Sequence, residues 1–102
     1  MGGTGVSSLE GKRIIVTGAA QGMGRAIAVR AAQEGAASVI VVDQNEALGE
    51  ETADLVRGEA CTSVALVTDL RDPDQIRAMI DESVGFAGGL DTVINNAGVI
   101  DS

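Results

Sequence analysis

Four short runs of aliphatic residues recur along the chain at nearly even intervals, and this recurrence limits the possible folds more than any other feature. The runs are Arg13-Ile14-Ile15-Val16-Thr17, Ser38-Val39-Ile40-Val41-Val42, Ser63-Val64-Ala65-Leu66-Val67 and Leu90-Asp91-Thr92-Val93-Ile94-Asn95. They are short and rich in Val and Ile, which is how strands covered on both faces of a parallel sheet read. The intervening stretches read as helices. Residues 23–34 put Ile27, Ala28, Ala31 and Ala32 on one face, and Gly35 is placed to stop them. Asn45 is placed to cap a helix that reaches Arg57 and ends at Gly58, with Gly49 inside it at a cost of about 1 kcal/mol. The third helix has the strongest start, with Asp72 at the cap, Pro73 in the first turn and Gln75 at the capping-box position. Ile76, Met79, Ile80 and Val84 follow at helical spacing.

The order is therefore β-α-β-α-β-α-β, with room for one crossover helix between successive strands. Right-handed crossovers turn this order into a doubly wound, Rossmann-like α/β domain with a parallel sheet in strand order 3-2-1-4. The composition suits it: with one Phe, no Tyr and no Trp, the core must be built from Ala, Val, Ile and Leu. The chain of 102 residues is enough for one small domain. Residues 1–8 are Gly/Ser-rich and read as a flexible leader, and residues 9–102 as the domain.

Charge and cysteine usage exclude several classes of function. A net charge of −8 argues against a nucleic-acid footprint and against binding an anionic membrane. No apolar run approaches the ~20 residues of a membrane span, and the N-terminus lacks the basic and apolar regions of a signal peptide. The expectation is a soluble, cytoplasmic protein. Cys61 is the only cysteine and there is no His, so neither an internal disulfide nor a transition-metal site can form.

The chemistry lies at the ends of the strands. The first strand runs into Thr17-Gly18-Ala19-Ala20-Gln21-Gly22-Met23-Gly24 and then a helix. Gly18 permits a tight turn, Gly22 lets backbone approach a pyrophosphate, and Gly24 lets helix pack closely on strand. The N–H groups at the helix start complete an anion site. Asp43 ends the second strand about 20 residues further on, where a dinucleotide fold places an acid on ribose hydroxyls.

Thr-Gly-x-x-x-Gly-x-Gly, with three residues between the first two glycines, resembles the short-chain dehydrogenase/reductase family. Asp69-Leu70 after the third strand is similar to the family's adenine-contacting acid. Asn95-Asn96-Ala97-Gly98 looks like its Asn-Asn-Ala-Gly signature. The resemblance implies an NAD(H) site formed by Gly18, Ala20, Gln21, Gly22, Met23, Gly24, Asp43, Asp69, Leu70, Asn95, Ala97 and Gly98. It also implies that the complete protein transfers hydride between nicotinamide and an alcohol or carbonyl. Gln21 stands where NADP-using relatives often carry Arg or Lys, and Gln44-Asn45 after Asp43 offer no basic residue to a 2′-phosphate, so NAD is the expected cofactor.

The family's catalytic Ser and Tyr-x-x-x-Lys have no counterpart: the sequence holds no Tyr, and its one Lys, Lys12, precedes the first strand. No catalytic residue carries over, and the chain reads as the front half of a longer protein. Two other readings compete. One is a stand-alone nucleotide-binding or regulatory module. The other is a fold that binds S-adenosylmethionine, against which the Asn-Asn-Ala-Gly run and the glycine spacing both count. A front half would leave the outer edge of strand four bare, along with apolar residues of strands one and four, and would favour association of copies into a homo-oligomer. Without an acid/base to handle the accompanying proton, the purified chain should transfer no hydride above solvent background. Turnover that survives repeated gel filtration would contradict this.

Overall fold

A computed structural model describes residues 9–96. Its elements are β1 (Arg13–Thr17), α1 (Gly22–Gln33), β2 (Ser38–Asp43), α2 (Glu46–Arg57), β3 (Thr62–Val67), α3 (Pro73–Ala87) and β4 (Thr92–Asn95). The sheet is parallel throughout, in the order β3-β2-β1-β4. The architecture is the doubly wound α/β sheet that the alternation of runs predicts. No helix among the described residues is long and apolar enough to cross a membrane.

Side chains alternate across the two central strands into two cores. Ile14, Val16, Val39 and Val41 face α1 and α2, where Ala28, Ala31, Ala32, Ala53 and Val56 meet them. The small alanines let both helices lie close to the sheet. Ile15, Ile40 and Val42 point to the opposite face and meet Met79 of α3. Cys61 is buried at the entrance to β3, and burial raises its thiol pKa.

Helix ends follow local chemistry, with one departure from expectation, at α3. The Asn45 side chain accepts from the Leu48 N–H and caps α2. Gly58 does end α2, but in a right-handed conformation, and the positive φ falls on Ala60, at 62°. At α3 no capping box forms, because the Asp72 N–H is already donated to Asp69 O at 3.0 Å. The Asp72 carboxylate takes the Asp74 N–H instead, and Gln75 Oε1 reaches back to the Asp69 N–H at 2.8 Å.

The expectation of bare apolar surface holds for β4 and fails for β1. Val93 is 50% exposed, whereas Ile14, Ile15 and Val16 are fully buried. β1 lies between β2 and β4 with helices over both faces, so four strands and three helices are enough to cover it. On α3, Ile80, Val84 and Phe86 are partly exposed, so the thinner cover is on that face.

At the end of the sheet where β1 and β4 begin, Asp91 makes a forked pair with Arg13, Nε to Oδ2 at 2.9 Å and Nη2 to Oδ1 at 3.2 Å. Asp91 Oδ2 also accepts the Arg13 backbone N–H at 2.8 Å, and Arg13 Nη1 caps Gly88 O. These bonds hold the Asp91 carboxyl down at about 2, from an ordinary value of 3.8. A depressed carboxylate pKa stabilises the fold above the ordinary value, and that contribution is lost as pH falls through the depressed one. The melting-temperature difference between the unmutated chain and Asp91→Asn should therefore be constant above pH 4 and shrink between about 4 and 2. A difference that does not change across that window would show that the pair contributes nothing.

Candidate functional site

The carboxyl ends of β1, β2 and β3 open together onto a cleft of about 530 Å³ lined by Gly18, Asp43, Gln44, Thr68, Asp69, Leu70 and Arg71. An open α/β sheet places its ligand site there, beside the point where strand order reverses. In this chain the reversal lies between β1 and β4.

The glycine turn forms the wall of the cleft at β1. Gly18 and Gly22 have φ of 64° and 60°, which L side chains rarely adopt. Gly24 meets a different demand: a Cβ there would collide with the Gly18 carbonyl oxygen and lie 2.8 Å from Asn96 Nδ2. Asn96 Nδ2 also donates to Gly18 O at 3.3 Å. The turn, the first helical turn of α1 and the residue after β4 therefore pack as one unit.

The start of α1 differs chemically from the other two helix starts. Asn45 and Asp72 cap α2 and α3 with side-chain oxygens, whereas among the described residues no side chain caps α1 and its first turn carries no acid. Space around Gly22 is open to 4 Å. Uncapped N–H groups, the positive end of a 12-residue helix and room for close approach make a site for an anion supplied by a ligand. A pyrophosphate fits this donor set.

Asp43 closes the second side. Its Oδ2 accepts the Ala20 N–H at 3.1 Å and its Oδ1 the Asn45 N–H at 3.0 Å, so the carboxylate links the glycine turn to the start of α2. On the third side Asp69 pairs with Arg71, Nε to Oδ1 at 3.0 Å and Nη2 to Oδ2 at 3.2 Å, which lowers its pKa. Gln44 Nε2 also reaches Asp69 Oδ1, at 3.3 Å.

The residues singled out in the sequence do not all gather in one place. Gly18, Asp43, Asp69 and Leu70 line the cleft. Ala20 is buried behind it, with Gln21 and Gly22 at the helix start. The Met23 side chain is 72% exposed and borders a separate apolar groove with Leu9, Ile27 and Ile94. Asn95 Oδ1 accepts the Thr17 hydroxyl at 2.8 Å and does not line the cleft. Ala97 and Gly98 lie outside the described residues.

Sequence reasoning missed Thr68, Arg71 and the role of Asn96. The residues at positions 21, 44 and 45 are indeed not basic, but Arg71 brings a guanidinium to the cleft from the exit of β3 rather than of β2. Its pairing with Asp69, two residues away, was the signal. Among the described residues no group of His, Cys, Asp and Glu could hold a metal ion.

A family model described as short chain dehydrogenase matches residues 12–102. The (+)-cis,cis-nepetalactol synthase NEPS3 of Nepeta racemosa is 39% identical over 94 residues, covering 92% of this chain and 34% of that protein. Versicolorin reductase stcU of Emericella nidulans is 35% identical over 92 residues, covering 90% of this chain and 35% of its own. Among solved structures, a short chain dehydrogenase from Mycobacterium paratuberculosis bound to NAD is 40% identical with a TM-score of 0.82, covering 90% of this chain and 38% of that one. The chain thus spans about a third of the length of the curated relatives it matches.

The glycine contacts generate a paired prediction. Gly24→Ala should destabilise the fold by about 1–3 kcal/mol, since neither the Gly18 carbonyl nor the helix backbone can give way. Gly49→Ala should stabilise it by up to about 1 kcal/mol, because a Cβ there meets only Ala65 Cβ at 3.7 Å and Val41 Cγ1 at 4.0 Å. Urea melts of both variants check the signs, and a neutral Gly24→Ala would refute the close-packing argument.

Proposed function

The chain belongs to the short-chain dehydrogenase family, and from that premise we propose that it binds NAD(H) in the cleft at the ends of β1, β2 and β3. The observation that carries this reading is the one uncapped helix start, α1, facing a glycine turn beside two carboxylates. The pyrophosphate belongs at the N–H groups of residues 21–24, the adenosine ribose against Asp43, and the base between Asp69 and Leu70. In a full-length protein carrying this cleft, the bound nicotinamide would exchange hydride with an alcohol or carbonyl. Asn95, Ala97 and Gly98 are proposed to border its nicotinamide end. Met23 would contribute backbone rather than its side chain.

Titration with NADH tests the reading directly, by the fluorescence of the bound nicotinamide. The absence of Tyr and Trp leaves a dark protein background for it. Saturable binding that is competed by ADP-ribose supports the cleft. No binding, or binding that ADP-ribose leaves untouched, would overturn it.

Cofactor choice follows from Asp43. A 2′-phosphate brings up to about two negative charges. At ~4 Å and an effective dielectric near 20, each pairing with the carboxylate costs ~4 kcal/mol before screening. Among the described residues lining the cleft Arg71 is the one cation, and its guanidinium is paired with Asp69. NADH should bind at least tenfold more tightly than NADPH, a ~1.4 kcal/mol margin that allows for solvent screening. Asp43→Ala should narrow the gap while also weakening NADH, since it frees the Ala20 N–H. Equal or tighter NADPH binding by the unmutated chain would contradict the assignment.

A further inference from the structure

Thr52 is fully buried on the inner face of α2, and its hydroxyl lies 3.2 Å from the carbonyl oxygen of Ala20, at the back of the glycine turn. A second acceptor, Leu48 O, is 3.3 Å away, four residues back along α2. Leu48 O already receives the Thr52 backbone N–H in the helical ladder, and Arg25 Nη2 donates to it at 3.1 Å. With both of its lone pairs engaged, the hydroxyl proton is left for Ala20 O. Arg25 Nε, from the first turn of α1, donates to the same hydroxyl at 2.9 Å. The hydrogen bonds therefore run in one direction, from guanidinium to hydroxyl to peptide carbonyl, and the cationic donor makes Thr52 a stronger donor in turn.

We propose that Thr52, oriented by Arg25, is a positioning residue for the dinucleotide site: it locks the peptide between Ala20 and Gln21 so that the turn meets a pyrophosphate already formed. Asp43 holds the N–H of Ala20 and Thr52 holds its C=O, so both peptide planes flanking that residue are fixed from the second βα unit. A trans peptide is planar with its N–H opposite its C=O. Drawing Ala20 O inward to α2 therefore turns the Gln21 N–H the other way, out of the protein interior. Neither Thr52 nor Arg25 lines the cleft. Besides tying α1 to α2 through Leu48 and Glu51, they reach the cleft only through the turn.

This rests on reading the cleft as a dinucleotide site, and the experiment separates the two ideas. The chain and its Thr52→Val and Thr52→Ser variants are titrated with NADH and with adenosine, which lacks the phosphates. Amide exchange at Ala20, whose N–H is bonded to Asp43, is followed without added cofactor. Thr52→Val should weaken NADH about tenfold, the scale of one lost hydrogen bond, and adenosine by less than about twofold. Exchange at Ala20, whose N–H is held by Asp43, should accelerate at least about tenfold, and Thr52→Ser, which keeps the hydroxyl, should restore both. Equal losses for NADH and adenosine would mean general loosening and overturn the proposal. So would unchanged NADH affinity with unchanged exchange. Should Thr52→Val not fold, Arg25→Met at the less buried end of the same chain of bonds must show the same split, and its absence overturns the proposal. An unmutated chain that ignores NADH defeats the cofactor reading, while the exchange data still decide whether Thr52 holds the turn.

Discussion

β1 is hydrogen-bonded to β2 on one side and β4 on the other, with Ile14, Ile15, Val16 and Thr17 paired in register to both. Buried on both faces as well, the strand has no freedom except at its end. There the chain must leave the sheet at once, and it does so through a glycine with positive φ into a helix whose third residue packs on that glycine's carbonyl. The shape of the cleft follows from this exit. A side chain at Gly24 would lift α1 off the strand, and lifting α1 would shift the uncapped N–H groups at its start.

The frame of the molecule was legible in the chain because the relevant signals are local. Continuous aliphatic runs, a proline beside an aspartate, and glycines at the far ends of helices each act within a few residues. Asp43 was legible as well, since strand length and one crossover helix fix its distance from the glycines. What lay hidden depends on how helices tilt against one another. Thr52 looks like any polar residue in α2 until that helix is laid beside α1, and Arg25 is separated from it by 27 positions. Gln75 fits a capping box by spacing, yet competition for the Asp72 N–H sends it to Asp69 instead. Arg71 was hidden for a related reason: it follows β3, and the exits of β2 and β3 share one cleft only once the two strands lie side by side.

The two faces of the sheet are covered unequally. α1 and α2 enclose one core with alanines and valines, and leave the apolar groove beside Met23 and Ile94 at the margin. Among the described residues α3 alone crosses the other face, and only Met79 and Ser83 along its length are buried. Most polar linkage gathers on the better-covered side, where Arg25, Thr52 and Asp43 join the first two βα units. The cleft thus has one firmly tied wall, made of the glycine turn and α2, and one wall tied mainly by surface pairs around Asp69.

The Arg13–Asp91 fork joins residues 78 apart, and the pairing of β1 with β4 closes the same long span. Most of the entropy of such a closure is spent early, each doubling of the span adding only about 0.6 kcal/mol. Its burden is therefore on time rather than on final stability, because contacts so distant along the chain form late. During synthesis the first three strands and both alanine-lined helices are complete before β4 exists. For that interval one edge of β1 is an open template, and Gly18 has no Asn96 against it. The glycine turn after β1 is thus among the first segments to be made and among the last to be finished.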